Sequence, residues 1–277
     1  MNSSRKTKET ILKALIYGSA VFTVAMLVII VGYIFVKGMG NMSLGFITND
    51  YSASGDGGVY PMILATVYTV GISIVVSAPI GILSAIYLQE YAKQGRLVSA
   101  IRFCTESLAG IPSIIYGLFG GIFFVVFLKM GYSILSGSLT VAIIILPVII
   151  RTTEEALKTV PQSFREASFA LGATKLQTLY KVIVPSAMPG IISGIILSIG
   201  RVVGESAAIL LTAGTVAKLP ETIMSSSRTL TVHAYLLTKE TGDIATASSI
   251  GIILIVIVLA LNTIAKVTGK KLGKASR

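Results

Sequence analysis

Again and again this chain runs for about 20 residues without a charged side chain, the length an α-helix needs to cross the ~30 Å hydrocarbon core of a bilayer. The runs place spans at about 14–36, 60–89, 107–128, 134–150, 186–212 and 244–265. Residues 1–13 and 266–277 read as polar tails, the first of them as disordered. Hydrophobic residues make up 53% and charged residues 13%, which excludes a soluble domain. The fold class is therefore all-α, a polytopic membrane protein with six transmembrane helices. The first run is about 23 residues long, too long for a typical signal-peptide core.

Between the runs the chain changes character. Residues 37–60 hold Gly38, Gly40, Gly45, Gly55, Gly57 and Gly58 with Asp50 and Asp56, which is turn chemistry. A short interfacial element is expected at 43–47. Glu90–Arg102 reads as a charged connection. Gly117, Gly120 and Gly121 in the third span let another backbone come close. Pro79 sits inside the second span, where neighbours or water must satisfy the freed carbonyl.

The formal charge of +11 comes from 23 basic and 12 acidic side chains. In a soluble protein it would point to nucleic acid; among spans it points to basic loops on one membrane face. Six spans put both ends on that face. With the loop around Lys93 and the polar stretch near 152–185, it holds 17 basic residues against six acidic ones. The opposite face holds five of each, so both termini and 152–185 are expected in the cytoplasm. Membrane lipids are the surrounding partner, and nucleic acid is not expected.

Two charges fall inside a span. Arg201 and Glu205 are four residues apart, so on one helix they share a face. A guanidinium there costs at least about 2.5 kcal/mol on the insertion scale. One reading makes the pair a packing element. The other sets Arg201 on a water-accessible path, where its planar fork suits a tetrahedral oxyanion and Glu205 steadies it. A proton relay fits the same charges. Glu106 is expected to pair with Arg102, and His233 to have a surface or packing role in an outer loop. Cys104, the only cysteine, supports no disulfide framework or metal cluster, and no GxxxxGK[ST] loop is present. Neither a catalytic site nor a cofactor or metal site is expected in this chain.

The polar stretch 152–185 has a helical grammar. Thr152 and Thr153 can cap a turn, and Glu154 and Glu155 favour a helix start. Pro161 breaks it, Ser163–Leu171 restarts as a short amphipathic helix, and Gly172 can act as a C-cap. Ala173–Val184 forms a second short helix, and Pro185 sets the start of the next span. The result is a rigid hairpin between the fourth and fifth spans, suited to a docked partner or to resting on lipid.

Glu166-Ala167, then Gly172, then Val182-x-Val184-Pro185 resembles the EAA loop of bacterial ABC importer permeases. Ser168 stands for its second Ala, Val182 for Ile and Val184 for Leu. Arg201-Val202-Val203-Gly204-Glu205-Ser206-Ala207 and Gly81–Tyr91 are similar to stretches of the phosphate-transport permeases PstA, and the sister permeases PstC share much of the pattern. The resemblance covers roughly residues 14–265. It implies a type I ABC importer permease fold with a cytoplasmic coupling-helix hairpin in the plasma membrane, in which Glu166, Ala167, Gly172, Val182, Val184 and Pro185 meet the ATPase and Arg201 and Glu205 line the solute path. It further implies a second permease resembling PstC, two copies of an ATPase resembling PstB that use ATP and Mg, and an external phosphate-binding protein resembling PstS. The chain itself would be a non-catalytic subunit of a phosphate importer. Sulfate or molybdate as solute, and a proton-coupled secondary transporter carrying protons on Glu205, are the rival expectations.

Overall fold

The computed structural model describes residues 3–52, 57–93 and 95–274. Gly55 and Asp56 of the glycine-rich loop and the last three residues of the basic tail lie outside them. Helix α1 (Ser3–Gly38) includes most of the segment expected to be a disordered tail. Glu9 and Lys13, four residues apart, pair at 2.8 Å and support that first stretch. A single 3₁₀ turn at Met39–Asn41 leads to α2 (Leu44–Thr48), where the Ser43 hydroxyl accepts a hydrogen bond from the Phe46 N–H.

Helix α3 (Tyr60–Ile86) carries Pro79 inside it and ends in a π-type turn, Tyr87–Tyr91. The third span differs from expectation. It is a bent pair, α4 (Arg96–Ala109) and α5 (Ser113–Gly120), at 98° to one another. A π-type segment, Gly121–Phe127, extends α5. Gly110-Ile111-Pro112 is the corner, since Pro112 drives the residue before it out of the helical region. The charged connection is thus largely a helix, and the upright part after the corner is only about 22 Å long at 1.5 Å per residue.

Helix α6 (Ile134–Lys158) outruns the expected fourth span. No helix restarts at Glu154: the Thr152 hydroxyl bonds back to the Val148 carbonyl at 2.8 Å and the helix continues. The hairpin then comprises α7 (Gln162–Ala170) and α8 (Lys175–Thr178). Pro185 does not separate α8 from the fifth span. A π-type turn at Leu179–Ile183 joins α8 to α9 (Val184–Val203), giving one continuous helix over Lys175–Val203. The widened turn comes immediately before the proline that has no N–H to give. After α9 come α10 (Ala207–Leu210), α11 (Leu230–Leu236) with its π-type extension Leu237–Thr241, and α12 (Ile244–Lys274).

Among the described residues, five helices are long and apolar enough to cross a membrane, and the bent pair makes a sixth. The core lies where α3, α6 and α9 meet, with Val70, Val141, Ile145, Ile149, Val202 and Val203 buried together. In lipid, apolar burial does not itself draw helices together, so close packing must. A Cβ on Gly81 would lie 2.7 Å from Ile149, and one on Gly190 2.5 Å from Ala156. The Ser73 hydroxyl crosses from α3 to the Ser138 carbonyl of α6 at 2.9 Å. Helix α1 stands apart and leans on α12, where Ser249 donates to the Gly38 carbonyl at 2.7 Å.

Gly117 of α5 lies against the Ala208 backbone of α10, where an added Cβ would come within 2.8 Å. Gly117→Val should therefore destabilise the protein by about 2 kcal/mol, the scale of overpacking. Thermal unfolding in detergent should show the loss, whereas Gly71→Ala, where a Cβ meets nothing within 4 Å, should match wild type.

Candidate functional site

The two in-span charges do not share one helical face. Helix α9 stops at Val203, with Gly204 as its C-cap. Arg201 is in the last turn, and Glu205 lies beyond the end. The Glu205 carboxylate accepts the Ala208 N–H at 3.2 Å and so opens α10. Glu205 is 9% exposed, while Arg201 is exposed and makes no ion pair with a described carboxylate. The helix ends at Gly204, and the Glu205 carboxylate then finds a backbone donor in the next helix. Tyr116 of α5 lies within electrostatic range of Arg201 and donates its hydroxyl to the Leu108 carbonyl at 2.8 Å.

The fifth span therefore ends at 203, not 212, and residues 211–229 are irregular. Their backbone is held inside the bundle. The N–H groups of Ser133, Ile134 and Leu135 donate to the carbonyls of Thr212, Ser225 and Ile223, at 3.2, 3.1 and 2.9 Å. The Thr231 hydroxyl donates to the Val203 carbonyl at the end of α9. The break thus sits between α5, α6 and α11, just after the exposed Arg201.

At the other end of α9 the hairpin projects. Glu166, Ala167 and Gly172 are exposed, as are Phe164, Phe169, Leu171 and Leu176, with Leu171 at 89%. Gly172 has φ +81°, a conformation that favours glycine, and turns the chain between α7 and α8. Thr174 and Gln177 then form a reciprocal capping box. Val182, Val184 and Pro185 are not at this tip. They lie half-buried where the stem joins α9, and Val184 packs on the cluster of Ala156, Leu157, Ile183 and Ala187. The sequence pattern therefore combines two groups, an exposed tip and a packed stem.

Apart from Glu155 with Lys158 within α6, the ion pairs at the hairpin end run between helices. Arg165 lies 2.6 Å from Glu90, and Arg102 lies 3.2 Å from Glu154. Glu106, expected to pair with Arg102, instead faces Arg151 at 3.8 Å. The 98° corner carries α4 across α6 and so supplies the partners of Arg102 and Glu106. Sequence signals mark Glu90 only as a charge at the end of a long apolar run and Arg165 only as one charge of the polar stretch, and nothing pairs them.

At the far end, His233 is buried in α11 rather than in a surface loop, so packing is its role. Tyr51 meets its ring edge-on at 5.4 Å, and the Arg228 guanidinium stacks over the same Tyr51 ring at 4.7 Å. Burial, reinforced by the Arg228 charge, lowers the His233 pKa to about 3. Among the described residues, no group of three metal-ligating side chains comes together.

Residues 77–274 match the family of binding-protein-dependent transport system inner membrane components. The chain is 34% identical to the probable ABC transporter permease protein YqgI of Bacillus subtilis, over 98% of each chain. It is 42% identical to the phosphate transport system permease protein PstA 1 of Mycobacterium tuberculosis, over 57% of this chain and 52% of the relative. A bacterial alginate ABC transporter, solved in complex with an alginate pentasaccharide-bound periplasmic protein, shares the fold at a TM-score of 0.68 and 14% identity, with 98% of each chain covered.

The buried histidine sets a pH dependence. Unfolded, it titrates near 6.5, and folded near 3. The unfolded state binds the extra proton between these values, so this contribution to stability is complete above about pH 6.5 and falls as pH drops towards 3. His233→Phe should flatten that slope. Melting temperatures of both proteins across the same pH range will show it.

Proposed function

Because the chain belongs to the family of binding-protein-dependent transport system inner membrane components, and so is a permease subunit of an ABC importer, we propose that its solute is inorganic phosphate. The observation that carries this reading is Arg201. A permanently charged, exposed guanidinium stands at the end of a spanning helix with no carboxylate partner among the described residues. Facing lipid there would be costly, so it faces a water-accessible path shared with a second subunit. A planar donor fork recognises a tetrahedral oxyanion by two parallel hydrogen bonds. The phosphate-permease name of one relative supports the same solute.

Glu205 acts one step behind. Its carboxylate holds the start of α10 and with it the break beside Arg201. Membership of the ABC importer family, in which a separate ATPase drives transport, favours this role over proton carriage. The exposed tip, with Glu166, Ala167 and Gly172, docks on the ATPase, and the stem of Val182, Val184 and Pro185 joins that tip to α9. The basic asymmetry of the loops puts the hairpin and both termini in the cytoplasm. The partners are a second permease resembling PstC, two ATPase subunits resembling PstB that bind ATP and Mg, and an external phosphate-binding protein resembling PstS. ATP-driven closure of the ATPase pair displaces the hairpin. The unbroken helix Lys175–Val203 carries that displacement to Arg201, opening the path outward, and hydrolysis resets it.

In vesicles holding the assembled transporter, Arg201→Gln should lower phosphate uptake at least about tenfold, as expected for a lost charged hydrogen bond of ~1.5–3 kcal/mol. Assembly should be intact, and wild-type uptake by the variant would rule out the contact. Sulfate and molybdate serve as competing solutes, and preferential uptake of either would reassign the cargo. Glu166→Ala and Gly172→Val should each reduce solute-coupled ATP hydrolysis while leaving the protein inserted. Normal coupling in both would remove the docking assignment.

A further inference from the structure

Two rods connect the hairpin to the break beside Arg201. One is the continuous helix Lys175–Val203. The other is α3, which lies beside α6 and α9 and is bonded at both of its ends. At the hairpin end, Arg165 of α7 meets Glu90 in the π-type turn of α3 at 2.6 Å, and also donates to the Val160 carbonyl at 2.9 Å. Lys175 of α8 stacks over Tyr91, one residue further on, at 4.5 Å. At the far end, the Thr66 hydroxyl of α3 accepts the Leu230 N–H of α11 at 3.0 Å. The next residue, Thr231, donates to the Val203 carbonyl, where α9 stops. The two rods are therefore joined to each other at top and bottom.

The tie between α3 and α7 is electrostatic. Helix α7 buries no side chain. A hollow of about 470 Å³, lined by Gln89, Glu90, Lys158, Gln162 and Arg165 among others, opens between it and the end of α3. The two charged side chains beside that hollow are themselves only 13% and 11% exposed. The guanidinium and carboxylate are thus largely desolvated, so breaking the pair leaves a charge stranded. Near the hairpin, Ile86 of α3 shares a buried cluster with Val160, Leu179 and Ile183, but α7 itself buries nothing, so the ion pair is what ties α3 to α7 directly.

We propose that Arg165 and Glu90 are a positioning pair for transport, which makes α3 move with the hairpin and carries that motion through Thr66 and α11 to the end of α9. The inference rests on the permease reading and adds a second transmission route to it. Neither residue touches solute.

The test uses the assembled transporter in lipid vesicles, with phosphate uptake and ATP hydrolysis measured together. For Glu90→Gln and for Arg165→Gln, uptake should fall about tenfold while hydrolysis stays within about twofold, a coupling loss within the usual range for linked sites. The double variant should be no worse than either single one, as for two groups acting as a unit. Glu90→Asp should recover most of the uptake, and Thr66→Val, at the other end of the rod, should uncouple in the same sense. Unchanged uptake, additive losses, or uptake and hydrolysis falling in equal proportion would overturn the proposal. If Glu90→Gln does not assemble, Arg165→Lys, which keeps the charge and loses the fork, is read by the same ratio. A solute-free arm separates this proposal from the choice of cargo. Spin labels at Leu219→Cys and Lys239→Cys should change separation with nucleotide in the otherwise unaltered transporter and stay fixed with Glu90→Gln. An unaltered transporter that hydrolyses ATP and carries no phosphate counts against phosphate. A nucleotide response that survives Glu90→Gln counts against the positioning pair.

Discussion

A backbone that leaves its helix within a bilayer must find its hydrogen-bond partners inside the protein, because lipid offers none. This constraint bears hardest where α9 ends. The peptide groups released there are taken up one by one: the Gly204 N–H by the Gly200 carbonyl, the Ala208 N–H by Glu205, and the Val203 carbonyl by Thr231. The irregular segment that follows lies against the first turn of α6, whose own N–H groups would otherwise lack acceptors. Helices α5, α6 and α11 are thus arranged around a break that could not exist without them. The small residues follow from the same need, since Gly117 and Gly137 admit the α10 backbone and Ala213 at close range.

The spans and the hairpin were legible because they depend on local properties: length without charge and a glycine at a left-handed turn. Gly172 is at φ +81°, as such local chemistry dictates, while the equally local capping box of Thr174 and Gln177 starts the second short helix after the expected Ala173. The errors arose where tertiary context supplies the missing half. Pro185 reads as a boundary, yet a π-type turn lets the helix run through it. Thr152 and Glu154 read as a helix start, yet the helix from Ile134 is already under way and absorbs them. Arg201 and Glu205 have helical spacing, and a glycine between them ends the helix before the spacing can act.

Charges were the least legible feature. Spacing along one helix suggested Arg102 with Glu106, whereas Arg102 reaches Glu154 on a helix that the corner at Pro112 brings alongside. Arg165 and Glu90 are 75 positions apart, and a single sequence contains no trace of their meeting. The same limit hid the stacking of His233, Tyr51 and Arg228. Composition shows that charges are scarce and on which face they gather. It does not show which helices will cross.

The π-type turn at Leu179–Ile183 also sets an angular phase. A π-turn holds one residue more than the α-turn it replaces, and one residue is about 100° of rotation. The faces of α8 and α9 are therefore offset as they would not be in an uninterrupted α-helix. The azimuth at which Arg201 leaves α9, relative to the hairpin tip some 30 residues earlier in sequence, is fixed by that single surplus residue. Losing one residue within Leu179–Ile183 would make the helix more regular and aim its far end in the wrong direction. In this rod, regularity and correct aim are opposed.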